Sequence, residues 1–197
     1  YYNKYSKKSF SISSVDLILE RIFSNFNHGI YLDIGCNHPI KYNNTYLLFK
    51  KGWRGINVDL DSESIKQFNL MRKNDHNVNT LVTSKDNEEK DLYFYHERSA
   101  INTISKVLAE KRENKPKKIE KLKGVSINTI INDSPFQNKK INLLSIDIEN
   151  YEFEALKEFN FDKYNVDVIV SEVTDVDSSK LELYNNSLEK ITSSKIY

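Results

Sequence analysis

The sequence predicts an α/β protein, a mostly parallel central sheet with helices on both faces. Three observations carry that expectation. Short apolar runs rich in Ile, Leu and Val recur along the 197 residues, separated by segments with helical spacing. Three of those runs end in a carboxylate, at Asp33, Asp59 and Asp147, and a fourth ends near Glu172. An acid at the end of a buried strand is costly unless it is used. Glycine is also scarce and clustered. The chain has only 5, about a third of ordinary usage, and Gly29, Gly35, Gly52 and Gly55 share one stretch with the only Trp, Trp53, and the only Cys, Cys36.

Residues 1–12 are polar and aromatic and read as an arm. Ser14 is placed to cap a helix in which Val15, Ile18, Leu19 and Ile22 recur at helical spacing. Gly29 to Gly35 is a short apolar run of the kind a buried parallel strand shows. Asn44 and Thr45 open a short helix through Leu47, Leu48 and Phe49, which Gly52 stops. A second strand runs from Gly55 to Asp59, and Asp61 and Ser62 cap a helix carrying Ile65, Phe68 and Met71. Val78 to Thr83 reads as a third strand, residues 84–90 as a charged turn, and Leu92 to Tyr95 as a further strand. Residues 103–123 carry eight Lys and Arg residues, seven of them from Lys111 to Lys123 around Pro116. They read as a solvated helix-turn-helix insertion, with a basic lid over an anionic acceptor as the alternative. Ile141 to Asp147 is a strand, followed by a helix with Phe153, Leu156 and Phe159. Val166 to Val173 is the last strand, and Leu181, Tyr184, Leu188 and Ile191 mark a final helix. No internal repeat or low-complexity linker interrupts this order, so residues 1–197 are expected to form one domain.

Composition removes several classes of function. The chain carries 29 basic and 28 acidic side chains, a formal charge of +1. That balance argues against a strongly cationic nucleic-acid binder, though not against a local basic patch. Mean hydropathy is −0.61, and no apolar run approaches bilayer-spanning length. A lone cysteine excludes an intrachain disulfide framework and a zinc site built from cysteines. The chain opens at Tyr1 without Met, as a fragment would, and no apolar segment follows the basic start, so a cytoplasmic location is expected.

In an open parallel sheet, ligands bind at the carboxyl ends of the strands near the switch point. The first strand ends Asp33-Ile34-Gly35-Cys36-Asn37-His38. Gly35 would let a ligand approach the backbone, and the loop N–H groups could meet an anionic group. The dinucleotide fingerprint is absent, because its second and third glycines are missing and Pro39 lies in the loop. Asp59 ends the second strand, where a carboxylate can accept both hydroxyls of a ribose. A nucleoside-bearing ligand without a pyrophosphate cradle points to S-adenosylmethionine.

Three blocks then carry a resemblance: Tyr31 to Pro39 followed by Asn44-Thr45, the run Gly52-Trp53-Arg54-Gly55-Ile56-Asn57-Val58-Asp59, and Ser145-Ile146-Asp147-Ile148-Glu149-Asn150-Tyr151-Glu152 with Leu156. With the lead-in helix around Asp16 to Leu19, they resemble the FkbM family of S-adenosylmethionine-dependent methyltransferases over about residues 14–176. The departures are Asn150, where the family usually has Gly, and Asp59, where it often has Glu. The resemblance implies a Rossmann-like class I methyltransferase fold, here stopping short of the family's C-terminal antiparallel hairpin. It implies methyl transfer to a hydroxyl of a sugar or small molecule, in glycan or natural-product biosynthesis.

The same resemblance implies the roles of the site residues. Gly35, Cys36, Asn37 and His38 would hold the methionine part of the cofactor, with Asp33 supporting the loop or the amino group. Asp59 would bind the ribose, and Thr83 and Ser84 would flank the adenine. Asp147 and Glu149 would face the transferred methyl and the acceptor. An alcohol acceptor needs a general base within hydrogen-bond reach, and Asp147, Glu149, His38 and His96 are the candidates. Asp147, Glu149 and Glu172 could also offer oxygen ligands to Mg²⁺, although the preferred reading makes one acid the base and the other a helix cap. Two alternatives stay open: a nucleic-acid methyltransferase, and an inactive cofactor-binding module of the same fold. Against the first, Asp133-Ser134-Pro135-Phe136 only superficially resembles the base-gripping motif of DNA amino-methyltransferases. It precedes the strand it should follow and lacks the second Pro.

Overall fold

The structure, a computed structural model, describes residues 7–96 and 102–172. In chain order the first half holds α1 (Val15–Ile22), β1 (Ile30–Ile34), α2 (Tyr46–Lys50), β2 (Arg54–Asp59), α3 (Ser62–Met71), β3 (His76–Asn79), β4 (Val82–Thr83) and β5 (Glu89–Phe94). The second half holds α4 (Lys106–Lys111), β6 (Lys118–Lys123), β7 (Val125–Ser126), α5 (Ile127–Asn132), β8 (Leu143–Ile146), α6 (Glu152–Leu156), α7 (Phe161–Tyr164) and β9 (Val168–Ser171). The central sheet has five strands in the order β3-β2-β1-β8-β9, and every pairing is parallel. The order reverses between β1 and β8, which makes their carboxyl ends the switch point of a Rossmann-like fold.

Strand alternation divides the core into two layers. Leu32 and Ile34, Ile56 and Val58, and Leu144 and Ile146 face one side, packed with Ile127, Ile131, Leu156 and Phe159. Tyr31 and Leu143 face the other, against Leu19, Phe23, Leu48 and Trp53. Each fully buried Leu, Ile or Phe contributes roughly 1.5–3 kcal/mol.

The second face also holds a buried polar network. Asp33 accepts from Asn43 Nδ2 at 3.0 Å and from Thr45 Oγ1 at 2.8 Å. Arg72, 1% exposed, donates to Thr45 Oγ1 at 2.8 Å, Asn43 Oδ1 at 2.8 Å and Pro39 O at 2.6 Å. Burial raises the Asp33 carboxyl above its usual range, while Arg72, Thr45, Asn43 and Ser145 oppose that shift. The network clamps the loop after β1 to the sheet.

Several elements differ from the sequence expectation. Ser14 makes no side-chain capping bond. The buried Asp16 carboxylate instead accepts from Phe10 N and Ser9 Oγ, each at 2.6 Å, and ties the end of the arm to α1. Ile18 and Ile22 are exposed, and the inward side of this segment is Leu19 with Phe23. The expected third strand breaks at Thr80: β3 stays in the main sheet, whereas β4 pairs with β7.

The largest difference is in residues 103–123. Only α4 is helical there, and Lys118–Lys123 is a strand antiparallel to β5. Ile119 and Leu122 are three apart, as on a helix, but Leu122 turns inward while Ile119 is exposed. The register sets Lys123 opposite Glu89 and Lys121 opposite Asp91, so opposite charges meet across this ribbon. Val173, the pattern Leu181 to Ile191 and the expected C-terminal truncation all lie outside the described residues.

Candidate functional site

A cleft of about 710 Å³ lies over the switch point, within the size range of small-molecule sites. Its floor is Ile34 and Gly35 after β1, Val58 and Asp59 of β2, and Asp147 with Glu149 after β8. One flank is Asn79 to Val82 together with the first turn of α3. The opposite wall is the inward face of the β5–β6 ribbon with Asn102, Thr103 and Ile104.

Asp59 is the best-placed acid on the floor. One carboxylate oxygen accepts from Asn37 N at 2.7 Å and the other from Asp61 N at 2.8 Å. Asp61 supplies the cap of α3, accepting from Ser64 N at 3.0 Å, so Asp59 has no capping duty. Burial pushes Asp59 up to about 6; the two backbone N–H groups oppose the shift, and the Asp61 and Asp33 charges add to it. It is ionised at neutral pH and acquires its proton in mild acid.

Gly35 is required by packing. Its φ is +75°, and a Cβ there would stand 1.8 Å from the Asp147 carbonyl oxygen. The glycine therefore lets the ends of β1 and β8 meet as well as opening the cleft floor. Gly35→Ala is expected to cost at least about 2 kcal/mol, from the left-handed backbone penalty together with the clash, measured as a lower urea midpoint.

Asn37 of this loop is exposed and lines the cleft, whereas Asp33, Cys36 and His38 do not. Asp33 is buried beneath it and supports it through Asn43 and Thr45. Cys36 packs with Ile65 and Phe68, and burial drives its thiol well above the usual range, so it is not a nucleophile. His38 Nδ1 accepts from Ile40 N at 3.0 Å and Lys41 N at 3.1 Å. That bonding occupies Nδ1 in shaping the turn, and His38 does not line the cleft. Thr83 is buried against Gly124 and donates to Lys85 O, while Ser84 donates to Glu88. Neither lines the cleft; Thr80, Leu81 and Val82 occupy the position expected of them. His96 is exposed at the end of β5, also outside the lining.

At the β8 end, alternation would set Asp147 and Glu149 on one side only if the strand continued. The strand stops at Ile146, and Glu149 and Asn150 take φ of +56° and +72°. This turns Glu149 to Arg112 Nη2 at 2.8 Å, and its backbone carbonyl accepts from Thr103 Oγ1 at 3.1 Å. Burial raises Glu149, with Arg112 opposing. Glu152, the first residue of α6, reaches back and accepts from Ile148 N at 2.8 Å. Partial desolvation of the Asp147 carboxyl in the cleft, and then the Glu172 carboxylate beside it, push Asp147 up to about 8.

The acidic cluster is therefore Asp147, Glu152 and Glu172, with ligand atoms within 4.8 Å of one another, and Glu149 is replaced in it by Glu152. Asp147 and Glu172 are both exposed, and exposed acids gather in this way without an ion, so no metal is assigned. Sequence reasoning missed Arg72, Arg112, Glu152 and the ribbon wall. Only Glu152 carried a signal, four residues after Ile148 at a helix start.

The family model for the methyltransferase FkbM domain matches residues 33–191. No curated protein and no solved structure matches the chain. Among the described residues, no helix is long and apolar enough to cross a membrane.

Proposed function

The chain belongs to the FkbM methyltransferase family, and from that premise we propose that it transfers a methyl group from S-adenosylmethionine to a hydroxyl of a sugar or small molecule. The observation that supports the donor is Asp59, a carboxylate at the end of β2 whose two oxygens each hold a loop N–H at the rim of the switch-point cleft. Those oxygens suit a vicinal pair of ribose hydroxyls. Leu60, Leu81 and Val82 offer apolar surface beside it for a flat base. The backbone of Gly35 to Asn37 faces the donor's amino-acid end, with Asp33 and Arg72 fixing that loop from below.

When bound, S-adenosylmethionine supplies an electrophilic methyl group, and the protein's part is chiefly positioning. Asp147 stands on the cleft floor at the switch point. Once ionised it accepts the acceptor's hydroxyl proton, the task a general base performs. Glu149, held by Arg112 and Thr103, orients the acceptor. The test is transfer of tritiated methyl groups to a panel of glycosides and other alcohols. Labelled methyl ether on a hydroxyl supports the reading. Donor binding with no transfer to any member leaves a binding module, and label on nitrogen or carbon contradicts the O-methyl assignment.

A further inference from the structure

The β5–β6 ribbon has no role in the reading so far, yet it forms a whole wall of the cleft. Its strand register decides what that wall presents. Lys90 pairs with Leu122, Leu92 with Glu120, and Phe94 with Lys118. Alternation puts these on one face, and all but Lys90 line the cleft. The ribbon is also fixed against the methyl-transfer end. Tyr93 bridges to Thr103, and Thr103 Oγ1 donates to the Glu149 carbonyl oxygen at 3.1 Å. Phe94 and Lys118 therefore sit at the end nearest Glu149, with Glu120 one pleat further along.

The charges there leave no place for an anion. Lys118 Nζ lies 2.6 Å from Glu120 and 4.5 Å above the Phe94 ring. Arg112 is paired with Glu149 at 2.8 Å. Asp147, Glu152 and Glu172 form a cluster of carboxyl groups and contribute no cation. Of the residues that suggest a basic lid, Lys121 and Lys123 stand on the outer face opposite Asp91 and Glu89, and Lys118 alone lines the cleft. An incoming phosphate or carboxylate would have to displace Glu120 from Lys118 or Glu149 from Arg112, whereas a neutral hydroxyl need only join the pair.

We propose that the inward face of this ribbon, led by Phe94 and Glu120, is the acceptor-binding wall, and that it takes an uncharged, hydroxyl-bearing ring while excluding phosphate- and carboxylate-bearing acceptors. Phe94 offers apolar ring surface, and Glu120 accepts hydroxyl protons. The exposed Lys118–Glu120 pair is weakly held, so a hydroxyl can enter it. The proposal rests on the methyltransferase reading of the cleft, and it extends that reading to the class of acceptor.

The experiment is saturation-transfer NMR on the full chain with S-adenosylhomocysteine present. The probes are methyl glycosides of glucose and galactose, glucose 6-phosphate and glucuronate. The glycosides should receive saturation and the two anions should not. Phe94→Ala and Glu120→Gln should each remove most of the glycoside signal, while S-adenosylhomocysteine affinity stays within about twofold and the melting curve is retained. Glu120→Lys should admit the anions. Anions binding as well as glycosides, glycoside binding indifferent to Phe94 and Glu120, or no glycoside signal at all would each overturn the proposal. Failure of S-adenosylhomocysteine to bind, with the glycoside signal intact and dependent on Phe94, would instead remove the donor reading and keep the wall.

Discussion

Asp147→Asn is expected to lower turnover by about 10²–10⁴-fold, the range ascribed to a general base, with donor affinity unchanged. The amide preserves shape and cannot take a proton. The pH dependence separates this loss from simple damage. Asp147 is pushed up to about 8 because its carboxyl is partly desolvated and lies beside the Glu172 carboxylate. Turnover of the wild type should therefore rise with pH through about 8, and the variant should lack that limb. Stability should move the opposite way. The folded protein keeps a proton on Asp147 that the unfolded chain, near the ordinary value of about 3.9, has already released. Wild-type stability is thus eroded as pH rises between about 4 and about 8, and the full penalty applies above that window. Asparagine carries no such penalty. Thermal melts should show Asp147→Asn above wild type at alkaline pH and level with it near pH 4. Unchanged turnover would make Asp147 structural.

Arg72→Met should be the most destabilising single change, at about 3–5 kcal/mol, because it leaves buried polar groups without their donor. Pro39 O, Asn43 Oδ1 and Thr45 Oγ1 would each lose a bond of 2.8 Å or less. Asp33, 4% exposed, would lose the cation that offsets its burial. Arg72→Lys should recover little, since an ammonium cannot span the three acceptors with the guanidinium's planar fork. Urea unfolding measures this directly. A loss under about 1 kcal/mol would mean that the network is dispensable. The connection to function is the loop: Asn43 bonds Asp33 and the Cys36 carbonyl together, so the same variant should also weaken donor binding.

The sheet and its acidic strand ends were legible because parallel strands buried on both faces read as largely apolar runs. Tyr31 to Ile34 and Leu143 to Ile146, broken only by Asp33 and Ser145, are such runs, and Asp59 could be placed at the end of another. What was not legible depended on contacts distant in sequence. Arg72 meets Asn43 and Thr45 only because α3 returns the chain beneath the first loop. Nothing local separates it from a surface arginine at a helix end. The β6 strand was misread because its apolar residues are three apart and its lysines suggest solvent. The pairing that makes it a strand comes from Glu89 to Phe94. The place of Glu149 was not legible because two left-handed residues, Glu149 and Asn150, turn the chain aside after β8, with Asn150 where the family usually has Gly.

In the proposed mode of donor binding, Asp59 receives the ribose. Calorimetric titration of S-adenosylmethionine into wild type and Asp59→Ala near neutral pH tests it most directly. Losing two charge-assisted hydrogen bonds should weaken binding by about 100-fold or more. Wild-type affinity should also fall as pH drops through about 6, where Asp59 takes up its proton. Equal affinity in the two proteins, with no loss in mild acid, would contradict the account.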